Sequence, residues 1–424
     1  MGFQQGLSGL SAASTNLDVI GNNIANSSTV GFKSSTAQFA DVYATSLYGV
    51  GGLQVGIGTK VGAVQQSFTQ GNVSVTSNPL DIAISGEGFF RMDQGGVITY
   101  TRNGQFKLDK DGYIDNSASQ RLTGYIADAT GAINGGTPVD IQVSLAPSPP
   151  KSTTQGRIDF SLDSAAKVLA GAINPLDATS YNPRHTTSIT VYDALGNAQS
   201  LVLYMQKSAA NSWNVDGYVN GIQVDLNGAG TAGNTMTIAF NPTGGAITQI
   251  NGAAAAAQSI TIPGIGSAVD VLGTGASDLT FSLDLTHFTQ VGGNPGQSFV
   301  NQDGYASGQL ASLSVAKDGV IQGRYTNGQT RTLGQVVLNS FLNPNGLQPL
   351  GNNSWFQTAD SGQPTVGAPG TGTLGSLQSG AVEESNVDMT ADLVSLIVAQ
   401  RTYQANAKTI SAQDQILQTL VNLG

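Results

Sequence analysis

Apolar residues recur in steps of four and three from Met389 to Val421, and again from Phe3 to Ile24. Such a heptad rhythm is typical of a helix that packs lengthwise against another helix. We therefore predict a helix at each end of the chain, the two pairing as a coiled coil, with an assembly interface along their apolar positions. The predicted interface residues are Phe3, Leu7, Leu10, Leu17, Ile24, Met389, Leu393, Leu396, Tyr403, Ile410, Leu417 and Val421.

The other faces of these two helices carry few charges. A helix face that meets water is normally richer in charge, so we expect these faces to contact other copies of the chain. Burial of one apolar seam does not offset the entropy of ordering about forty residues. We therefore expect the ends to be largely disordered in a dilute monomer and to become helical on assembly. Ser385 and Asp388 have the spacing of a capping box, which predicts that the second helix begins near Ser385.

Between the helices the pattern changes to short strands and tight turns. Residues 81–85 alternate with period two, and strand-like segments follow at 188–192, 201–204 and 280–285. Dipeptides that favour hairpin turns recur along the chain. They are Asn103-Gly104, Asp111-Gly112, Asp318-Gly319 and Asn327-Gly328. The predicted fold class is mainly β with terminal α-helices, an α+β arrangement.

The section 148–298 differs in composition from its surroundings, because it contains no glutamate and follows the prolines Pro147, Pro149 and Pro150. We interpret it as a second β domain inserted into the first, so that the domains are nested. The predicted parts are a terminal helical coiled-coil domain at 1–27 and 385–424, a junction at 28–72 and 375–384, a β domain at 73–147 and 299–374, and an inserted outer β domain at 148–298. The junction is expected to be irregular, with Tyr43, Tyr48 and a glycine-rich run at 49–58.

Composition excludes several functions. The net charge is −10 and charged residues make up 10% of the chain, without a basic cluster that would indicate a nucleic-acid partner. No apolar run approaches the length that would insert into a membrane. The N-terminus lacks the pattern of a cleavable secretory signal. With no cysteine, the chain has no disulfide, iron–sulfur cluster or thiol chemistry.

Three motifs suggest chemistry, and each has a structural interpretation that we favour. Gly86-Glu87-Gly88 would need a following helix to hold a phosphate, and strand signals follow instead. Residues 109–112 resemble the start of a calcium loop but lack its later glutamate, so we predict a β-turn. We expect Glu383-Glu384 on a flexible segment that leads into the helix, where its negative charges interact favourably with the positive end of the helix dipole. We predict no catalytic, cofactor or metal site, and no enzyme activity.

Several segments resemble the bacterial flagellar hook and rod axial family. Those near the N-terminus are Ser11–Ala13, Asn22–Asn26 and Val30–Lys33. In the body they are Ser85–Phe90 and Tyr100–Gly104. At the C-terminus they are Ser385–Asp388, Val398–Lys408, Gln413–Leu417 and Leu420–Leu423. The resemblance covers about 1–147 and 299–424, and the large middle section favours hook subunits over the shorter rod subunits.

This resemblance implies a role as well as a fold. The terminal helices would form the inner tube around an export channel, and many copies would build a curved hollow tube that acts as a universal joint between rod and filament. The implied partners are flagellar rod, hook cap and hook–filament junction proteins and the flagellar type III export apparatus. The implied location is the extracellular hook, reached without a cleavable signal peptide. The alternatives are a distal-rod-like axial subunit, an extracellular β-rich adhesin or carbohydrate-binding protein, and a secreted hydrolase that uses Asp or Glu pairs.

Overall fold

The computed structural model describes residues 2–42, 56–128, 130–226, 235–264 and 271–423, with side chains up to Thr419. Its two α-helices lie at the ends of the chain, α1 at Gly2–Ala25 and α2 at Met389–Leu423. Between them the described residues form strands, turns, loops and a short 3-10 helix at Pro344–Gly346. This confirms the predicted fold class.

The start of α2 differs from the prediction by four residues. The Oδ1 atom of Asp388 accepts hydrogen bonds from the backbone N–H groups of Thr390 and Ala391, at 3.0 and 3.1 Å. Asp388 is therefore the N-cap, and its carboxylate also complements the positive end of the helix dipole. The hydroxyl of Ser385 instead accepts the N–H of Val387 at 3.3 Å, outside the helix.

The chain forms two compact units. The first comprises Met1–Leu145, Ala311–Arg324 and Thr330–Gly424, and the second Ala146–Leu310 and Tyr325–Gln329. The predicted boundary at residue 298 falls inside a strand, Gly296–Gln302, that pairs antiparallel with Gln155–Asp163. The second unit therefore extends further along the chain than the predicted 148–298, because this strand pairs with Gln155–Asp163 of the same unit.

The strands are numbered in chain order. Those before the second unit are β1 Ser35–Val42, β2 Gly58–Gln66, β3 Val73–Val75, β4 Ile82–Ser85, β5 Phe89–Gln94, β6 Val97–Thr101, β7 Lys107–Leu108, β8 Ile114–Asp115, β9 Arg121–Ile126 and β10 Val139–Asp140. Those of the second unit are β11 Gln155–Asp163, β12 Thr186–Tyr192, β13 Ala198–Ala209, β14 Ser212–Val219, β15 Ile222–Val224, β16 Met236–Phe240, β17 Ile247–Ile250, β18 Ala253–Ala254, β19 Gln258–Ile262, β20 Leu279–Asp284, β21 Thr289–Val291 and β22 Gly296–Gln302. The strands that follow are β23 Leu310–Val315, β24 Val320–Tyr325, β25 Thr330–Val336, β26 Leu338–Ser340, β27 Gln348–Gly351, β28 Ser354–Phe356, β29 Thr365–Gly367, β30 Ser376–Ser379 and β31 Ala381–Glu383.

The main sheet of the first unit joins strands from both sides of the insertion. Its order is β23-β24-β25-β9-β5-β6-β28-β27, so that β9 pairs with β25 and β6 with β28. A hydrophobic cluster is built partly from this sheet, and its aromatic rings are in edge-to-face contact, as aromatic pairs prefer. The buried members are Phe89, Tyr100, Phe341, Leu347 and Trp355.

The second unit contains two sheets around a core of its own. One runs β12-β13-β14-β16-β17-β18, and the other runs β19-β20-β11-β21, with β22 beside β11. In β11 every second residue is buried, including Ile158, Phe160 and Leu162, which is the alternation of a strand with one face on the core. The predicted strand segments at 188–192, 201–204 and 280–285 lie in β12, β13 and β20.

Three of the four predicted hairpin turns are confirmed. Asp111-Gly112 joins the paired strands β7 and β8, Asp318-Gly319 joins β23 and β24, and Asn327-Gly328 joins β24 and β25. The three glycines have φ between 80° and 84°, which favours glycine. The prediction for Asn103-Gly104 is wrong. Strand β7 pairs with β8 instead of β6, and the carbonyl of Gly104 accepts the N–H of Ile82 at 2.9 Å.

A buried histidine lies in the core of the second unit. The ring centroid of His185 is 4.8 Å from that of Trp213, and its Nε2 atom accepts the backbone N–H of Asp163 at 3.0 Å. Burial is the main cause that lowers the pKa of His185, and the positive charge of Lys207 acts in the same direction. The carboxylate of Asp163 and the backbone of Asn182 oppose this shift. The folded protein therefore holds the ring neutral.

We expect this histidine to make the second unit sensitive to mild acid. The unfolded chain takes up a proton near the ordinary histidine pKa of 6.5, whereas the folded chain does so only at lower pH. The contribution of His185 to stability is therefore fully present above pH 6.5, and it is lost as the pH falls from there through the lowered pKa of the folded state. Denaturant titrations between pH 7 and 5, followed by Trp213 fluorescence in a Trp355→Phe background, should show this loss. His185→Gln should abolish it and the exposed control His287→Gln should not, whereas equal acid sensitivity in both would contradict the assignment.

Candidate assembly interface

The two terminal helices pack against each other through small residues. A side-chain carbon at Gly6 would lie 3.0 Å from Cγ1 of Ile410, and one at Gly9 would lie 2.9 Å from the side-chain amide of Asn406. Because the earlier glycine faces the later residue of α2, the helices are antiparallel. Ala12, Ala13 and Ala399 are also buried. The prediction that the terminal helices pair is confirmed, with glycine and alanine at the closest approach.

Half of the predicted interface residues remain exposed in the single chain. Ile410 is half-buried and faces Gly6, where the two helices approach closely. The exposed ones are Phe3, Leu7, Met389, Leu393, Tyr403 and Leu417. The half-buried ones are Leu10, Leu17, Ile24, Leu396 and Ile410. Val421 lies within α2, and its side chain is outside the described residues.

Large apolar side chains therefore remain open on α2. Val394 and Val398 are 59% and 58% exposed, and both line a groove of about 490 Å³ that also involves Phe39 of β1. We call the exposed apolar side chains of this helix the α2 apolar surface. Its members are Met389, Leu393, Val394, Ile397, Val398, Tyr403, Ile416 and Leu417. A helix with apolar residues on most of its circumference is normally buried.

The segments that connect the helices to the strands are ordered where they are described, which corrects the expected irregular junction. β1 and β2 form an antiparallel ribbon, with Ser35 opposite Gln66. β30 pairs with β4 and β31 with β3, so that residues 376–379 and 381–383 belong to sheets. Tyr43, Tyr48 and the glycines at 49, 51 and 52 lie outside the described residues.

A buried ion cluster lies at this junction. The Nζ atom of Lys33 donates to Oε1 of Glu383 at 2.6 Å, and a guanidinium nitrogen of Arg102 donates to Oε2 at 3.1 Å. The side chains of Lys33 and Glu383 are 0% exposed and that of Arg102 is 3% exposed. We call these three residues the junction cluster.

Backbone groups also take part in the cluster. Lys33 also donates to the carbonyl of Thr69 at 2.7 Å, and the N–H of Gly71 donates to Oε1 of Glu383 at 3.0 Å. Burial lowers the pKa of Lys33, and the charge of Glu383 opposes that shift. Burial lowers the pKa of Arg102 in the same way, again opposed by Glu383. Because the carboxylate stabilises both cations, it is the central member of the cluster.

The expectation for Glu383-Glu384 is therefore wrong for its first member. Glu383 ends β31 and is buried, whereas Glu384 is exposed. The sequence contained a weak signal for this site, since Lys33 is an isolated cation in a segment of low charge. The interpretations of the other two motifs agree with the structure. Gly86 and Gly88 have φ of 112° and 126° before strand β5, and Asp109 accepts the N–H of Asp111 and Tyr113 in a turn.

Among the described residues no group of three or more acidic or histidine side chains is arranged to hold a metal ion. The same part of the chain has no helix that is long and apolar enough to cross a membrane.

Models of flagellar protein families match four separate segments of the chain. Four family models match it: Flagella basal body rod protein at residues 3–33, Flagellar hook protein FlgE/F/G D1 domain at 83–154, Flagellar basal body protein FlaE D2 domain at 161–305, and Flagellar basal body rod FlgEFG protein C-terminal at 378–423. The middle section, which showed no recognisable motif, is thus covered by a flagellar model as well.

Curated relatives match over their full length. The flagellar hook protein FlgE of Escherichia coli is 42% identical, and that of Salmonella typhimurium 43% identical, each with 100% of both chains aligned. The chain belongs to the flagellar hook protein family. A hook protein of Borreliella burgdorferi is 34% identical over 99% of this chain and 98% of its own. A crystal structure of Helicobacter pylori flagellar hook protein FlgE2 matches with a TM-score of 0.47 and 13% identity, covering 73% of this chain and 100% of that one.

Membership of the hook protein family decides between the alternatives left by the sequence. The full-length relatives are flagellar hook proteins, and this favours a hook subunit over a rod-like subunit, an adhesin or a hydrolase. The family models match the terminal segments and the middle section separately, each as part of a flagellar protein.

Proposed function

We propose that this protein is a structural, non-enzymatic subunit of the bacterial flagellar hook, and that it assembles with further copies of itself through its terminal helices. The observation that carries the proposal is the α2 apolar surface. Scattered apolar residues are normal on a protein surface, but a run of them along one helix marks an interaction site.

Burial of this surface supplies the driving force for assembly. Each large apolar side chain contributes about 1.5–3 kcal/mol when it is fully removed from water. The eight members of the surface form two groups along α2, six between Met389 and Tyr403 and two at Ile416 and Leu417, so neighbouring subunits that cover them bury apolar area at both places. The scarcity of charge on both helices avoids the cost of burying charged groups at such contacts.

The family suggests the form of the assembly. Many copies would build a curved hollow tube that serves as a universal joint between rod and filament, outside the cell. The partners would be flagellar rod, hook cap and hook–filament junction proteins, together with the export apparatus through which the subunits leave the cell. The low charge of the chain, 10% of its residues, suits β units that slide past one another as the tube bends.

Removal of residues 410–424 tests this proposal. We expect the truncated protein to form no tubes, because it loses Ile410 of the helix pair and the apolar Ile416 and Leu417. The β units should stay folded, since their cores contain none of these residues. Electron microscopy reports the tubes, and circular dichroism with tryptophan fluorescence reports the strands. Tubes of normal appearance from the truncated chain would contradict the proposal.

A further inference from the structure

The junction cluster joins parts of the chain that are far apart in sequence. Lys33 and Glu383 are separated by 350 residues, and Arg102 and Glu383 by 281. The two cations belong to the part of the chain before the second unit, and their shared carboxylate belongs to the segment that leads into α2. The cluster can therefore be completed only when both ends of the chain are present.

The cations depend on this carboxylate. Lys33 and Arg102 lie close enough for each to repel the other's charge, and both are removed from water. A buried charge without its partner is strongly unfavourable, whereas a completed pair is tolerated. Without Glu383 the buried ammonium group of Lys33 is destabilised, and opening of the segments around it lets water replace the missing carboxylate.

Further hydrogen bonds tie the same two segments together around Glu383. The N–H of Gly31 donates to the carbonyl of Glu383 at 2.8 Å, and the N–H of Ser34 donates to Oδ1 of Asn386 at 2.7 Å. Asn386 also donates to the carbonyl of Ser67 at 2.8 Å. At the end of α1, the side chain of Asn23 both donates to and accepts from the backbone of Ser35, at 2.9 Å each. The exit of α1 and the entry of α2 are thus joined at one point.

We propose that Glu383 is a latch that couples closure of the N-terminal junction to the arrival of the C-terminal segment. A chain whose C-terminal segment is not yet in place keeps the junction open, and only the completed chain holds the exit of α1 against the entry of α2. The consequence for self-assembly rests on the proposed function, since it limits assembly to complete subunits. The latch itself is a property of the single chain.

Trypsin cleavage after Lys33 measures the closure directly, because the enzyme needs this buried side chain to be accessible. In the full-length monomer, Glu383→Gln keeps the shape of the side chain and removes its charge. We expect release of fragment 1–33 to be about 100-fold faster in this variant than in the wild type, given the cost of an unpaired buried cation. The matched control is Glu384→Gln, which alters the neighbouring exposed carboxylate and should cleave at the wild-type rate. Equal rates in the two variants would overturn the latch.

A second measurement separates the charge effect from general loss of structure. The triple variant Lys33→Met, Arg102→Met and Glu383→Gln removes the two cations that need the carboxylate. We expect it to regain the amide protection of residues 58–71 that Glu383→Gln loses, even if the single variant unfolds the whole first unit. Failure of the triple variant to regain protection would overturn the latch. Because both measurements use monomers, they are independent of whether the chain forms tubes.

Discussion

Replacement of Gly9 by leucine is expected to abolish tube formation. A Cβ atom at this position meets the amide of Asn406 at 2.9 Å and displaces that flexible side chain, and the rest of the leucine must then fit into the contact between α1 and α2. Overpacking of a close contact costs about 1–3 kcal/mol, and here it falls where the two helices approach each other through small residues. Electron microscopy after salting-out should show no tubes, and under the same conditions α1 should exchange faster than in the assembled wild type.

Gly21 provides the matched control on the same helix. A side chain there meets no atom within 4 Å, and leucine raises the helix propensity equally at both positions. Gly21→Leu should therefore leave the α1–α2 contact intact. Tubes from the Gly9→Leu protein, formed as readily as from the Gly21→Leu protein, would show that the small-residue seam does not hold the helices.

The double substitution Val394→Asp and Val398→Asp should also prevent assembly, through a different contact. Both side chains are more than half exposed in the single chain, so the monomer should keep its stability within about 0.5 kcal/mol. In the assembly the two carboxylates would be transferred from water into a covered apolar groove without partners, which is strongly unfavourable. Sedimentation should find monomers under conditions in which the wild type forms large particles.

The isosteric variant Val394→Thr and Val398→Thr separates the effect of charge from that of shape. It keeps the outline of the surface and introduces only hydroxyl groups, so we expect weakened but measurable assembly. If the aspartate variant assembled as well as the threonine variant, the α2 apolar surface would remain in contact with water in the polymer, contrary to the proposed function.

The sequence predicts the elements of this fold better than their contacts. Hydrophobic periodicity belongs to each segment alone, so it indicates both terminal helices and the strands of the middle section. The contact between α1 and α2 has no such signature, because Gly6, Gly9 and Asn406 form no apolar stripe. The large apolar residues of the heptad pattern are instead exposed or half-buried in the single chain, and their role in assembly stays a prediction. The expected disorder of both ends in a dilute monomer also stays a prediction.

Long-range pairing explains the other differences. Asn103-Gly104 and Asn327-Gly328 are the same dipeptide, yet only the second joins two strands that pair with each other. A turn signal describes local geometry and carries no information about which strand lies beside which. Glu383 is a similar case, because its partner Lys33 is 350 residues away and no local pattern links them.

Electron microscopy of the purified full-length protein, taken through a series of ammonium sulfate concentrations, tests the central claim most directly. Such salts strengthen the burial of apolar surface, and the terminal helices offer the surface to bury. We predict that the protein converts from single chains into hollow tubes as salt and protein concentration rise. A protein that remains monomeric, or precipitates without any tubular order, at every concentration would contradict self-assembly through the terminal helices.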